Sequence, residues 1–242
     1  MCYTKPMDIF IILAIVVLVL LVIVSLASYG GDKFFNAFFD YQEQSSVGFI
    51  TATEFTQMVV KNELNREVKI VQNAGILNDA YNPAQKIIML SSTTAFNASS
   101  VALGVAAHEL GHALQQKEAP KTFENFIRMR AFSVLFSPFI LPLIIIGIIY
   151  MLTIDSTIWI GAGISMSGLA IFLICLFVRL ATIPIEKDAS KRAIALMKKY
   201  TDFDSNELKL VKKLLSLALL TYIGDFFRAC FMWTGLVRKT KL

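Results

Sequence analysis

Charge is what this sequence has little of. Only 17% of its 242 residues are Asp, Glu, Lys or Arg, while 56% are hydrophobic. Soluble domains carry about 25% charged and about 45–50% apolar residues, so an ordinary water-soluble globule is excluded. Tryptophan (2) and proline (6) are scarce but phenylalanine (19) is not, which excludes disordered, collagen-like and low-complexity classes, all poor in large apolar side chains. Cys2, Cys175 and Cys230 are too few and too widely spaced for a disulfide framework or a cysteine-based metal site. Lys and Arg exceed Asp and Glu by 23 to 18, but they form no single stripe and no basic-aromatic signature, so nucleic acid is not an expected partner. What is left is a membrane protein with enough polar sequence for one compact domain.

Three uncharged runs are long enough to cross a lipid core of about 30 Å: Ile9 to Gly31 with 23 residues, Ala131 to Ile154 with 24, and Ser156 to Val178 with 23. The first exceeds the apolar core of about 7 to 15 residues found in a signal peptide and reads as an uncleaved anchor. The second and third, separated by Asp155 alone, predict a tight helical hairpin with bends at Pro138 and Pro142. A fourth apolar stretch, Leu214 to Val237, contains Asp225 and Arg228 on one helical face and either spans the bilayer or lies along it. Basic residues gather before the second run (Lys117, Lys121, Arg128, Arg130) and after the third (Arg179, Lys187, Lys191, Arg192, Lys198, Lys199), and the hairpin tip has none. The positive-inside rule therefore places residues 32–130 and 179–213 in the cytoplasm. The expected fold class is an α-helical membrane protein of three to four transmembrane helices, with one mainly α cytoplasmic domain carrying a small β-sheet. Its parts are an anchor (1–31), that domain (32–130), the hairpin (131–178), a cytoplasmic helix (179–213) and an apolar helix with a basic tail (214–242).

Within the domain, Thr51 and Glu54 form a capping box that starts an amphipathic helix ending near Asn65. Val68 to Val71 and Lys86 to Leu90 are rich in β-formers, with Asn78, Asp79, Asn82 and Pro83 as turn residues between them. A helix from about Ser99 to Gln116 can be capped by Ser99 or Asn97 and turns Leu103, Ala106, Ala107, Leu110, Ala113 and Leu114 inward.

That last helix contains the two histidines of the chain, in the string His108-Glu109-Leu110-Gly111-His112. Residues four apart share a helix face, so both imidazoles can reach one ion, while Glu109, rotated by about 100°, is left as a general base. An imidazole pair favours zinc, and a catalytic zinc takes three protein ligands with a fourth position open to water. The third ligand is sought in Pro184-Ile185-Glu186-Lys187-Asp188-Ala189-Ser190, where Pro184 suits the first turn of a helix leaving the membrane. Glu186 and Asp188 are the candidates, with Glu118 and Glu124 behind them. Both first-named carboxylates could instead favour a helix N-terminus, or Asp188 could pair with Arg192, and spacing alone does not choose.

These strings, together with Gly104 to Gln115, Tyr81-Asn82-Pro83 and Ala218 to Tyr222, resemble the neutral zinc metallopeptidases of bacterial membranes, the YugP type, a gluzincin-like family. The resemblance runs over nearly the whole chain and implies Glu186 as the third zinc ligand. It departs in two places. Gluzincins of the HtpX type have an Asp four residues after that Glu, where this chain has Ser190, so Asp188 is expected to orient a histidine or to exchange roles with Glu186. Lys187 stands where an aromatic residue is usual.

The function expected is zinc-dependent endopeptidase activity at the cytoplasmic membrane face, on peptides or membrane proteins, with the lipid bilayer as a partner. Zn2+ held by His108, His112 and Glu186 would activate a water for Glu109 to deprotonate, and a Tyr (Tyr81 or Tyr222), an Arg or a backbone N–H would assist the oxyanion. The polar end of the motif helix, Gln115 to Glu118, argues against a metal buried at mid-bilayer depth. A zinc-binding scaffold without activity is the alternative, although such a site is usually closed, rich in Cys, and has no use for Glu109.

Overall fold

The computed structural model describes residues 32–45 and 48–230, with the side chains of 155, 220–225 and 228 left aside. The expected anchor at Ile9 to Gly31, the end of the fourth apolar stretch and the basic tail lie outside the described residues, as does the Tyr222 side chain. A first helix, α1, takes in residues 32–44. It is followed by α2 (Ala52–Glu63), β1 (Lys69–Asn73), β2 (Ala80–Asn82), β3 (Ile87–Ser91), the short α3 (Ser92–Ala95), α4 (Ser100–Glu118), α5 (Pro120–Thr153), α6 (Ile158–Tyr200) and α7 (Ser205–Cys230). The described residues are mostly helical, with one small sheet and two long apolar helices among them.

Local sequence explains most boundaries. The Thr51 and Glu54 side chains each bond the other's backbone N–H, as the capping box requires, and α2 ends where Asn65 (φ 50°) and Arg66 (φ 61°) turn left-handed. Ser99 caps α4 by accepting from the Ala102 amide, and Asn97 in turn accepts from the Ser99 amide. Asn82 does more than turn the chain. It ends β2, and its Oδ1 accepts from the amides of Ala84 and Gln85 to shape the link to β3.

The sheet order is β1-β3-β2, with β3 parallel to β1 (Lys69 beside Ile87) and antiparallel to β2 (Ala80 beside Met89). Strand β3 is therefore the central one. Both of its hydrogen-bonding sides are already occupied.

The core gathers α2 (Phe55, Val59), β3 (Ile88, Leu90), α6 (Ala193, Met197) and α7 (Val211, Leu214) around α4. Small residues make α4 able to sit at this centre. A Cβ on Gly104 would come within 2.4 Å of Val211, and one on Gly111 within 2.6 Å of the Ala189 carbonyl oxygen, so both helices close directly onto the α4 backbone.

Helices α5 and α6 form an antiparallel hairpin joined through a 3-10 turn at Asp155–Thr157, with the Tyr150 hydroxyl bonded to Thr157. Both are long and apolar enough to cross a membrane. Pro138 and Pro142 lie within α5 without ending it, and Pro184 lies within α6. The expectation that a new helix starts at Pro184 is thus corrected: α6 runs unbroken from the apolar stretch to Tyr200. A proline inside a helix forfeits one backbone bond, a loss that packing against α4 and α5 can offset. Helix α7 joins the two regions, with Leu214 in the main core and Phe226 and Cys230 among Ile140, Leu141 and Cys175 of the hairpin.

Candidate metal centre

Two helices converge to make the site. On α4, His108 and His112 stand one turn apart with ring centroids separated by 4.8 Å. On α6, the buried Glu186 projects between them, its Oε2 lying 3.3 Å from Nε2 of each imidazole. The three ligand atoms lie within 4.8 Å of one another and could hold one metal ion. The approach is permitted by Gly111, which lets α6 at Ala189 rest on the α4 backbone between the two histidines.

The electrostatics favour a cation. Burial opposes charge on Glu186, yet the two imidazoles outweigh it and hold the carboxyl well below the usual range. At His112 burial opposes a charged ring, but hydrogen bonding and charge from Glu186, with Glu109 adding to it, raise its pKa above the ordinary histidine value. Both shifts have one cause, a buried anionic locus among ring nitrogens. Two imidazole nitrogens and one carboxylate oxygen are also the donor set of a catalytic zinc with an open position. Glu109 stands half-buried beside this group and outside the ligand cluster.

The other carboxylates named from sequence go elsewhere. Asp188 Oδ2 accepts from Arg192 Nε at 2.7 Å and from Gln115 Nε2 at 2.9 Å, and its side chain is half exposed. Glu118 pairs with Arg192 and Glu124 with Arg128. Among the described residues none of these three joins the histidine cluster. Lys187 is exposed on α6.

Four contributors escaped the sequence reading. Gln115, three residues after His112 on the same face, meets His112 Nδ1 at 2.9 Å. Ser190 Oγ, four residues after Glu186, lies 3.3 Å from His108 Nδ1. Phe126, at the start of α5, stacks on the His112 ring at 6.0 Å with 14° between planes, and Phe123 stands at 5.9 Å. The signal for Gln115 was its i, i+3 spacing from a histidine. Phe126 had no such signal, because its contact depends on how α5 leaves α4. Tyr81 bonds Gln116 through its hydroxyl and packs on Phe123, with burial pushing its pKa up to about 12.

Comparison with known proteins agrees with this geometry. A family model described as "Putative neutral zinc metallopeptidase" matches residues 11–239. The chain is 33% identical over 159 residues to the "Putative membrane protease YugP" of Bacillus subtilis (strain 168), covering 65% of this chain and 66% of that relative, so the match spans just under two thirds of it. No solved structure matches the chain. A family match along nearly the whole length, taking in both helices that converge here, leads to one conclusion: the chain belongs to the neutral zinc metallopeptidase family.

Proposed function

We propose that this protein is a membrane-bound zinc endopeptidase that hydrolyses peptide bonds at the cytoplasmic membrane face. One observation carries the reading: Glu186 Oε2 stands 3.3 Å from both His108 Nε2 and His112 Nε2, on a helix far from them in sequence. His108, His112 and Glu186 are the residues that would hold the ion. Bound zinc acidifies water towards a pKa of about 7 and polarises a carbonyl. Glu109, the residue between the ligands on α4, takes the proton of the attacking water and returns it to the leaving amine. It is half-buried on the same helix as the two histidines and outside the ligand set.

The placement at a membrane surface rests on continuity. Glu186 follows the last residue of the apolar run, Val178, by eight positions on the unbroken α6, a rise of about 12 Å. Only Ala119 separates the histidine helix α4 from α5, and the first turns of α5 supply Phe123 and Phe126 against His112. Substrates able to reach such a site are peptides or membrane-protein segments close to the bilayer. The basic residues flanking the hairpin support the cytoplasmic orientation.

The test uses the full chain purified in detergent. Wild type should retain about one zinc, Glu186→Ala should lose it, and Asp188→Ala should keep far more of it. Glu109→Gln should keep zinc and lose roughly 10²- to 10⁴-fold in peptidase rate. Full zinc with activity indifferent to Glu109 would sink the hydrolase reading in favour of a zinc-binding scaffold.

A further inference from the structure

The two histidines of the site are held in different ways, and the difference concerns their tautomers. Gln115 is buried, and its Nε2 donates to the Ile185 carbonyl at 2.8 Å and to Asp188 Oδ2 at 2.9 Å. An amide nitrogen has two hydrogens, so both are spent. Turning the amide over would set Oε1 against a carbonyl and a carboxylate, two acceptors with nothing to give it. The amide orientation is therefore fixed by its surroundings, and Oε1 is the atom that faces His112 Nδ1 at 2.9 Å. Facing an oxygen that can only accept, Nδ1 must carry the proton. A neutral imidazole has one N–H, which leaves the lone pair on Nε2, the nitrogen beside Glu186.

Asp188 is fixed in turn. Arg192 donates to it through Nε at 2.7 Å and to Glu118 through a terminal nitrogen at 2.7 Å. Glu118 and Gln115 are both on α4, while Arg192 and Asp188 are on α6, so the chain of bonds starts and ends on the histidine helix and clamps α6 to it at the level of the site. At His108 the only such neighbour among the described residues is the Ser190 hydroxyl at 3.3 Å, which can donate or accept and so selects no tautomer.

Resting on the reading of His108, His112 and Glu186 as a zinc site, we propose that Gln115 is a positioning residue that locks His112 in its Nδ1-protonated form, presenting Nε2 to the metal, and that Asp188 holds Gln115 in the orientation this requires. Asp188 then acts on the histidine through the glutamine, and its separation from the ligand cluster follows from that role. Partners of ligating histidines typically change metal affinity by about 10- to 100-fold when removed.

The experiment measures zinc affinity by chelator competition in the detergent-purified full chain, with the absorption spectrum of the cobalt-substituted protein as a second readout of ligand geometry. Gln115→Leu should weaken zinc by about 10- to 100-fold and alter the cobalt spectrum, whereas Ser190→Ala should have a much smaller effect. A leucine can also disturb folding, so the decisive pair is Gln115→Glu against Gln115→Glu/Asp188→Asn. Glutamate keeps an acceptor for Nδ1–H but sets a carboxylate against Asp188. Adding Asp188→Asn removes one of the two facing charges and sets an amide nitrogen to donate to the introduced carboxylate; because one oxygen, Asp188 Oδ2, meets both Gln115 and Arg192, the Arg192 Nε bond is given up while its bond to Glu118 stays. The double variant should therefore bind zinc more tightly than Gln115→Glu alone, a recovery that no space-filling role predicts. Wild-type affinity in Gln115→Leu, or no recovery on adding Asp188→Asn, would overturn this inference alone. A wild-type protein that binds no zinc would overturn the metal-centre reading and this inference with it.

Discussion

The region around α4 and the hairpin of α5 and α6 are built on opposite plans. Around α4 the large side chains are inside: Phe38, Phe55, Ile88, Leu90 and Leu110 are fully buried. Where α5 faces α6 the small ones are inside. A Cβ on Gly147 would come within 2.6 Å of the Gly161 backbone oxygen, one on Gly168 within 3.0 Å of that of Ile140, and Ser133 and Ser137 are buried nearby. Apart from Ile140 and Leu141, which pack against α7, many of the hairpin's large residues, among them Leu135, Ile146, Trp159, Leu169 and Leu173, point outward. Water drives large apolar groups inward in the first region. Such a drive is missing between helices in lipid, where close backbone approach takes over and outward leucines meet lipid tails. The inverted plan is the one a lipid surround favours, a reason for the membrane reading that is independent of run length.

The largest effect expected comes from placing the same charge on equally exposed residues of the two regions. Leu169 is 50% exposed near the middle of the apolar run, and Ile76 is 56% exposed beside the sheet. Leu169→Lys should destabilise the bilayer-embedded protein by about 3 kcal/mol. Ile76→Lys should change stability by no more than about 0.5 kcal/mol, as surface substitutions usually do. Unfolding of both variants in reconstituted bilayers measures the contrast. Equal, small effects would remove the hairpin from lipid and break the comparison.

A second pair sharpens the contrast by jamming each region at its tightest contact. Gly111→Ala drives a methyl into the Ala189 backbone, and Gly147→Ala drives one into Ser165 and Gly161. Overpacking of either kind costs about 1–3 kcal/mol. Only the first separates α4 from α6 where Glu186 meets the histidines. Gly111→Ala should therefore lose zinc under chelator competition and Gly147→Ala should keep it, with similar falls in unfolding midpoint.

The contrast also explains what the sequence disclosed and what it withheld. Helix periodicity placed His108 and His112 on one face, and the Thr51–Glu54 box started α2, because each depends on residues three or four apart. The hairpin was visible as two uncharged runs around Asp155. The choice between Glu186 and Asp188 was hidden, because two residues apart on a helix means about 200° of rotation and only the docking of α6 on α4 says which one turns inward. Pro184 misled for a related reason: proline favours a first turn, but here the helix arrives already formed from the apolar run. The three-residue β2 was too short to show a period. The central place of β3 reflects strand order, which no local pattern encodes. Boundaries expected at residues 130 and 178 fall inside α5 and α6, since apolar and polar segments share unbroken helices.

The smallest expected effect belongs to the far edge of the α4 region, where α2 is tied to the end of α6. Glu63 Oε1 accepts from Lys199 Nζ at 2.5 Å and from the Tyr200 hydroxyl at 2.6 Å. These two donors, Lys199 foremost, hold the Glu63 carboxyl below its usual range. A carboxyl with a depressed pKa stabilises the fold while it is ionised in the folded state. Its contribution is complete above the ordinary value of about 4.3 and fades as the pH falls through the lower folded-state value. Lys199 is largely exposed, so solvent screens the pair and its worth is small. Glu63→Gln should lower the unfolding midpoint by no more than about 2 °C at pH 7. The difference from wild type should then shrink to nothing as the pH is taken below the carboxyl range, where both side chains are neutral. A difference that persists in acid would assign Glu63 to packing and not to charge, and zinc retention in this variant should match wild type, since the tie lies at the opposite end of α6 from the hairpin and beyond Glu186.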